Sequence, residues 1–219
     1  MTPLDAVRII AHRGASIRLP ENTMAAFNGA MEAGAHMIEL DVRLSADGAV
    51  VVIHDDTLDR TTRGTGPVAA RTASELKRLG VPLLEDVLML PIALNVEIKA
   101  PEAATPVVEL VRDLNGIVIS CFSLPVLAQV RALNPSQPVG YLSTSDNRRE
   151  VLDAALAAGA FSYNLPRTVL SPRLVEEAHA GGLKAMAFTI NSADEAERAF
   201  IWGVDAIFTD DPAGMLAIL

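Results

Sequence analysis

The sequence predicts an α/β protein with a single domain, residues 1–219, folded as a closed (β/α)₈ barrel (a TIM barrel) with a short hairpin extension after the second strand. Eight short apolar segments without polar alternation are each followed by a helical segment, which is typical of a parallel sheet covered on its outer face. No linker or break in composition divides the chain, so one domain is favoured. An open doubly wound sheet is the alternative, but no glycine-rich fingerprint follows the first strand. Eight such units in one domain therefore favour the closed barrel.

The apolar segments predict where the barrel strands lie. We expect them at residues 7–11, 37–42, 92–98, 117–122, 138–142, 160–163, 184–189 and 205–208. After the second strand, Asp47 and Gly48 form a strong turn signal, and residues 50–53 return as a short strand that leads into His54. We expect this hairpin to extend the loop after the second strand without joining the barrel.

Polar residues at the starts of the helical segments predict how these helices are capped. The first helix is expected to begin after Asn22 or Thr23, either of which can cap it. Capping boxes are expected at residues 72–75 and 192–195, and N-caps followed by proline at residues 105–106 and 171–172.

The composition excludes several classes of partner. A formal net charge of −9 without a run of Lys or Arg argues against nucleic acids and membrane surfaces. No apolar run reaches the roughly 20 residues of a membrane span, and residues 1–5 lack the pattern of a signal peptide. The single cysteine, Cys121, cannot form an internal disulfide. We therefore expect a soluble cytoplasmic protein; its oligomeric state stays open.

Two carboxylates lie in the second predicted strand. Glu39 and Asp41 are two residues apart, so they share one face of the strand and lie roughly 7 Å apart along it. Burying two like charges is costly, so a positive group is expected between them. The ordinary alternative is that one carboxylate pairs with an arginine and the other lies at a solvated strand end.

Further ionisable residues fall at the ends of neighbouring strands. His12 ends the first strand, Glu97 and Lys99 share one face near the end of the third, and His54 follows the hairpin. Each alone is more often structural, as a hydrogen-bonded histidine or a salt bridge. Active sites of (β/α)₈ barrels lie at the carboxyl ends of the strands, so together these residues predict one site.

The residue types indicate the chemistry of this site. Three carboxylates without a cysteine ligand match one hard divalent cation, Mg²⁺ or Ca²⁺, better than zinc. Two histidines beside such a cation suit in-line displacement at phosphorus, one as base and the other as acid. Arg13 and Lys99 would neutralise charge on the non-bridging oxygens.

Several motifs together resemble the glycerophosphodiester phosphodiesterase family, which belongs to the phosphatidylinositol-phospholipase-C-like phosphodiesterases. These motifs are His12-Arg13-Gly14, Pro20-Glu21-Asn22-Thr23, Glu39-Leu40-Asp41-Val42, His54-Asp55, Leu58-Asp59-Arg60-Thr61-Thr62, Asn95-Val96-Glu97-Ile98-Lys99, Cys121-Phe122-Ser123, Phe188-Thr189-Ile190-Asn191 and Gly203-Val204-Asp205-Ala206-Ile207-Phe208-Thr209-Asp210-Asp211-Pro212. The resemblance spans essentially the whole chain.

The resemblance implies a barrel fold, a divalent cation, and hydrolysis of deacylated phospholipids to sn-glycerol 3-phosphate and an alcohol. Its residue roles, carried over position by position, are metal ligation by Glu39, Asp41 and Glu97, acid–base catalysis by His12 and His54, and phosphate binding by Arg13 and Lys99. Of the two histidines, we expect His12 to be the base and His54 the acid. The nucleophile, water or the neighbouring glycerol hydroxyl, stays open, as do the native metal and the head group.

Two departures from the family weaken the substrate assignment. The segment 60–89 is shorter than the usual insertion, so the rim of the substrate pocket is reduced. Phe188 stands where many members have a tryptophan, and keeps an apolar wall without the N–H donor. A lysophospholipase D-type enzyme acting on lysophospholipids and a non-catalytic binding barrel are the alternative functions.

Residues next to these motifs have less specific expectations. Asp55 either orients His54 or simply turns the chain. Glu21 and Asn22 are expected to anchor the first loop, with direct ligation as the alternative. Asp210 is expected to shape the last loop.

Overall fold

Parallel strands build the centre of the molecule. A computed structural model describes residues 3–145 and 147–218. The strands are β1 (Ile9–His12), β2 (Met37–Leu44), β3 (Val50–Val52), β4 (Ala93–Ile98), β5 (Ile117–Cys121), β6 (Val139–Leu142), β7 (Ser162–Pro166), β8 (Lys184–Phe188) and β9 (Ala206–Thr209). Residues 1, 2, 146 and 219 of the expected domain, the first two of which belong to the segment 1–5 considered above, lie outside the described residues.

Strand pairing closes the sheet into a barrel. β1 pairs in parallel with both β2 and β9, so the order β1-β9-β8-β7-β6-β5-β4-β2 returns on itself. β3 pairs antiparallel with the end of β2, opposite residues 42–44. The predicted barrel and its hairpin are confirmed. The sixth barrel strand, β7, runs three residues beyond the predicted end at residue 163 because its pairing with β8 continues to Pro166.

The barrel strands bury both faces. On β2, Ile38, Leu40 and Val42 belong to the large cluster shared with the surrounding helices. Met37, on the opposite face, packs inside the barrel in a second cluster with Ile10, which Leu4 also joins. This alternation places Glu39 and Asp41 on the interior face, further along the strand than Met37.

Helices cover the outside of the barrel. They are α1 (Met24–Ala33), α2 (Ala73–Arg78), α3 (Leu84–Val87), α4 (Ala104–Val111), α5 (Leu124–Leu133), α6 (Arg148–Ala157), α7 (Pro172–Ala180), α8 (Ala193–Ile201) and α9 (Pro212–Leu216). Short 3₁₀ turns occupy Pro3–Ala6, Val68–Ala70 and Pro101–Ala103. None of the helices formed by the described residues is long and apolar enough to cross a membrane.

Most of the predicted caps are present. The hydroxyl of Thr23 caps α1, Thr72 forms a complete capping box with Glu75, and Ser171 caps α7. Ser192 caps α8 by accepting from the backbone N–H of Glu195. The expected reciprocal half of that box is replaced by an ion pair of 2.6 Å between Glu195 and Arg167.

The predicted cap at residue 105 is wrong. A 3₁₀ turn at Pro101–Ala103 starts the helical path earlier and runs directly into α4. Proline at the start of this turn already has a helical φ, so the chain is helical before it reaches Thr105. The Thr105 hydroxyl instead accepts a hydrogen bond of 3.1 Å from Nε2 of Gln129.

Candidate active site

Strand register brings the three predicted carboxylates together. His12 lies beside Glu39 in the pairing of β1 with β2, and Asp41 lies beside Glu97 in the pairing of β2 with β4. One oxygen from each of Glu39, Asp41 and Glu97 lies within 4.8 Å of the others. All three side chains are buried, so the sequence prediction of one acidic cluster is confirmed.

A cavity of about 230 Å³ opens above this cluster at the carboxyl ends of the strands. Seven of the eight residues predicted for the site line it, namely His12, Arg13, Glu39, His54, Glu97, Lys99 and Phe188. Asp41, the eighth, is fully buried behind Arg13 and Lys99, which both contact its carboxylate. Phe188 packs edge-to-face against Phe122 and Phe208, and these rings form the apolar wall that was expected.

Each carboxylate of the cluster has different neighbours. Asp41 accepts a hydrogen bond of 2.8 Å from Nδ2 of Asn22 and lies 3.1 Å from Nε of Arg13 and from Nζ of Lys99. Lys99 also binds Glu97. Oε2 of Glu39 accepts from the backbone N–H of Arg13 at 3.0 Å. Its other oxygen, Oε1, is buried and has no hydrogen-bond donor among the described residues.

The pKa values reflect the crowding of negative charge. Burial and the neighbouring charges of Asp41 and Glu97 raise the pKa of Glu39 to about 8. Burial and Asp41 also raise the pKa of Glu97. Burial acts on Asp41 in the same direction, but Lys99 and Arg13 outweigh it and lower the pKa of that carboxyl.

The cluster could therefore hold a metal ion. Buried oxygens of three converging carboxylates, with Glu39 Oε1 lacking a partner, are the ligands that a hard divalent cation prefers. A cation there would also relieve the repulsion that raises the pKa values of Glu39 and Glu97. These carboxylate oxygens fit the divalent cation, Mg²⁺ or Ca²⁺, that the sequence predicts.

His12 is held by Asp210, which the sequence predicts to shape the last loop and not to belong to the site. Nδ1 of His12 lies 2.7 Å from Oδ1 of Asp210, which also accepts from Ser16, while its Oδ2 accepts from Asn191. Burial alone would lower the pKa of His12, but the hydrogen bond to Asp210 and the charge of Glu39 raise it. The expectation for Asp210 therefore missed this contact. The predicted closure of the barrel could have indicated this contact, because it puts the residue after β9 beside the end of β1.

His54 is held in the same way by its sequence neighbour. Its Nδ1 lies 2.6 Å from Oδ1 of Asp55, so Asp55 orients the imidazole. Arg60 binds Asp55 at 2.6 Å and Glu21 at 2.8 Å, and this ties the hairpin loop to the first loop. Burial lowers the pKa of His54 against the opposing effect of the hydrogen bond to Asp55.

The first loop adopts an unusual backbone conformation around the site. Arg13, Gly14 and Asn22 have φ values of 58°, 86° and 56°, in the left-handed region that costs energy for residues other than glycine. A Cβ on Gly14 would lie 2.7 Å from the backbone of Ala26, so only glycine fits there. This conformation directs the N–H of Arg13 at Glu39 and lets Asn22 reach Asp41. Asn22 thus anchors the loop to Asp41, and Glu21 anchors it through Arg13 and Arg60.

Comparison with known proteins gives a consistent result over most of the chain. Residues 12–214 match the glycerophosphoryl diester phosphodiesterase family. A glycerophosphodiester phosphodiesterase of Caldanaerobacter subterraneus subsp. tengcongensis is 35% identical in an alignment that covers 96% of this chain and 97% of that protein.

Solved structures agree in fold. A phosphodiesterase of Oleispira antarctica, in complex with the product sn-glycerol-3-phosphate, superposes with a TM-score of 0.89 at 27% identity, covering 100% of this chain and 99% of that one. A glycerophosphodiester phosphodiesterase of Thermotoga maritima superposes with a TM-score of 0.89 at 29% identity, covering 97% and 98%. With the family match over most of its length, this chain belongs to the glycerophosphoryl diester phosphodiesterase family.

Proposed function

We propose that the protein hydrolyses glycerophosphodiesters, the deacylated forms of phospholipids, to sn-glycerol 3-phosphate and an alcohol. The observation that carries this proposal is the meeting of two carboxylate-bound imidazoles and three buried carboxylates around one cavity. The volume of about 230 Å³ suits a small polar substrate. The Oleispira relative, which binds sn-glycerol-3-phosphate, supports the same product.

Glu39, Asp41 and Glu97 are the proposed ligands of one divalent cation, Mg²⁺ or Ca²⁺. When bound, such an ion stabilises negative charge on the phosphoryl oxygens. Arg13 and Lys99 line the same cavity, and we propose that both contact the phosphate. Phe188 and its neighbouring rings exclude water from one side of the substrate.

His12 is the proposed base and His54 the proposed acid. Each Nδ1 is engaged by a carboxylate, so each ring keeps Nε2 available for a proton of the substrate. Without a cation, the hydrogen bond to Asp210 and the charge of Glu39 raise the pKa of His12 against the effect of burial, and burial lowers the pKa of His54. With its carboxylate shared by a cation, Glu39 would attract the His12 proton less, and the pKa of His12 would fall towards the value a base needs. Asp55 stabilises the protonated form of His54, as an acid requires.

We further propose that residues 1–219 act as one catalytic domain in the cytoplasm, within lipid and glycerol metabolism. The unbroken barrel from β1 to β9 supports a single domain. The acidic composition and the single buried cysteine support a reducing compartment without a nucleic-acid partner.

A panel of glycerophosphodiesters, assayed for released glycerol 3-phosphate, tests the proposal. We expect activity to be lost in a chelator and restored by added Mg²⁺ or Ca²⁺. Replacing His54 by Ala should lower turnover by about two to four orders of magnitude. Near-normal turnover of this variant, or no release of glycerol 3-phosphate from any diester, would overturn the proposal.

The ligand assignment has its own test. Glu97→Gln should weaken cation binding at least about tenfold, since it removes a ligand charge. Glu102→Gln, a nearby exposed position, is the matched control and should bind the cation normally. Equal cation binding by both variants would exclude Glu97 as a ligand.

A further inference from the structure

A second cavity shares His54 with the cavity described above. Its volume is about 590 Å³, more than twice the 230 Å³ of the first. The second cavity lies between the first loop and the segment that follows the hairpin. Glu21 of the first loop and Arg60 of that segment both line the cavity, and they form an ion pair with each other. Because His54 lines both cavities, the two adjoin at this residue.

The lining of this second cavity is cationic in a chain whose formal net charge is −9. Three arginines line it: Arg60, Arg63 and Arg78. Arg60 is neutralised by Glu21 and Asp55.

Arg63 and Arg78 are exposed, and within the ranges 3–145 and 147–218 neither forms an ion pair with an acidic side chain. Arg78 donates a hydrogen bond of 3.0 Å to the hydroxyl of Ser74, and its charge acts on Glu75 without a direct ion pair. Two guanidinium groups are therefore available to an anionic ligand.

The floor of the second cavity is apolar. Val52, Ile53 and Val81, which line it, are each less than 5% exposed. A ligand that fits the apolar floor and the cationic wall of this cavity has a short carbon skeleton on the floor and an anionic group at Arg63 and Arg78.

We propose that the second cavity binds the leaving alcohol of the diester and selects alcohols that carry an anionic group, a carboxylate or a phosphate. This inference rests on the proposed function, in which His54 protonates the leaving oxygen. That oxygen must lie within hydrogen-bond reach of His54, and His54 also lines the second cavity, so this cavity is the one next to the leaving alcohol. Arg63 and Arg78 then determine specificity, because they attract a carboxylate or phosphate and repel the ammonium group of an amino alcohol.

Glycerophosphoserine and glycerophosphoethanolamine provide the decisive comparison, since they differ only by a carboxylate on the leaving alcohol. We expect the protein to hydrolyse glycerophosphoserine with the higher kcat/KM. Replacing both arginines, Arg63→Gln with Arg78→Gln, should reduce the ratio of the two kcat/KM values by about 5- to 30-fold, as for two exposed charges of modest strength. The change should lie mainly in KM and should shrink at high salt.

Arg173→Gln is the matched control, because it removes one exposed arginine from α7 on another part of the surface. It should leave the ratio unchanged, and thermal melting confirms that each variant is folded. A ratio near one in the unmodified protein, or a ratio that the double replacement does not change, overturns this inference while the phosphodiesterase activity stands. No release of glycerol 3-phosphate from either substrate instead overturns the proposed function itself.

Discussion

Nδ1 of His12 lies 2.7 Å from Oδ1 of Asp210, although the two residues are 198 positions apart in the chain. The contact exists because β9 pairs with β1 and closes the barrel, which places the residue after Thr209 beside the end of β1. It fixes the orientation of the imidazole and leaves Nε2 as the ring nitrogen available to a substrate. Asp210 is thus a positioning residue for His12.

The first prediction concerns this contact. Asp210→Asn should lower kcat by about two orders of magnitude, because the amide can no longer hold His12 in its working tautomer and charge state. The pKa of His12 should fall, since the hydrogen bond to Asp210, together with the charge of Glu39, raises it against the effect of burial. Both effects can be measured, by the pH dependence of kcat/KM and by NMR titration of the ring.

Asp211→Asn is a close control for this measurement. Asp211 caps α9 by accepting from the backbone N–H of Gly214. Its replacement should reduce stability slightly and leave the pKa of His12 unchanged. If Asp210→Asn also leaves that pKa unchanged, the positioning role is wrong.

The sequence could predict the barrel and the central site residues because their signals are local. Alternation along one strand puts Glu39 and Asp41 on one face, and strand ends place His12 and Glu97 at the same mouth. The orienting contacts of Asp210 with His12 and of Arg60 with Glu21 join segments that are 198 and 39 residues apart. Local patterns carry no such information.

The incorrect prediction of a helix cap at Thr105 has a local cause, unlike the missed long-range contacts. Thr105 followed by proline is a sound local signal for a helix start, but Pro101, four residues earlier, already begins the turn that leads into α4. Both Pro101 and the pair of Thr105 with the proline after it are local signals for a helix start, and the helical path begins at the earlier one.

The second prediction separates the roles of the two histidines. A diester with a good leaving group, such as the p-nitrophenyl ester of glycerol 3-phosphate, needs no acid to leave. His54→Ala should therefore lose about two to four orders of magnitude on glycerophosphocholine but about tenfold or less on the p-nitrophenyl ester. His12→Ala should be slow on both substrates, because the nucleophile still needs a base. If His12→Ala is slow only on glycerophosphocholine and His54→Ala is slow on both substrates, His12 is the acid and His54 the base.

The third prediction concerns Lys99, whose Nζ contacts both Asp41 and Glu97. Lys99→Met removes the ammonium group and keeps most of the side-chain volume. In the absence of cations the variant should lose about 3–5 kcal/mol of stability, since two buried carboxylates lose a partner. Its affinity for Mg²⁺ or Ca²⁺ should rise by about tenfold, because the ion no longer competes with the ammonium group.

Calorimetric titration and thermal melting with and without cation check this prediction. Lys77→Met is the control, because Lys77 forms an exposed pair with Asp86 away from the site. Lys77→Met should change neither the stability without cation nor the affinity for Mg²⁺ or Ca²⁺ appreciably. Weaker cation binding by Lys99→Met would show that Lys99 supports the ion instead of competing with it.

The fourth prediction concerns stability at the opposite end of the barrel, where Asp205 lies just before β9. Its carboxylate accepts hydrogen bonds from the backbone N–H of Ala185 at 2.8 Å, from Nε2 of His179 at 2.8 Å and from Nζ of Lys184 at 3.1 Å. Burial alone would raise the pKa of Asp205, but these hydrogen bonds outweigh it and lower the pKa. The ionised form therefore stabilises the folded protein.

Asp205→Asn should reduce the free energy of unfolding at pH 7 by about 1–2 kcal/mol. A carboxyl whose pKa is lowered by folding stabilises the protein fully above its unfolded pKa, and this stabilisation is lost as the pH falls through the folded pKa. The difference between parent and variant should thus be constant from pH 7 to about 5 and shrink below about 4. Urea unfolding at several pH values measures it, with Asp153→Asn, in an exposed pair with Arg149, as control. A difference that persists unchanged at low pH would mean that the charge of Asp205 is not what stabilises the fold.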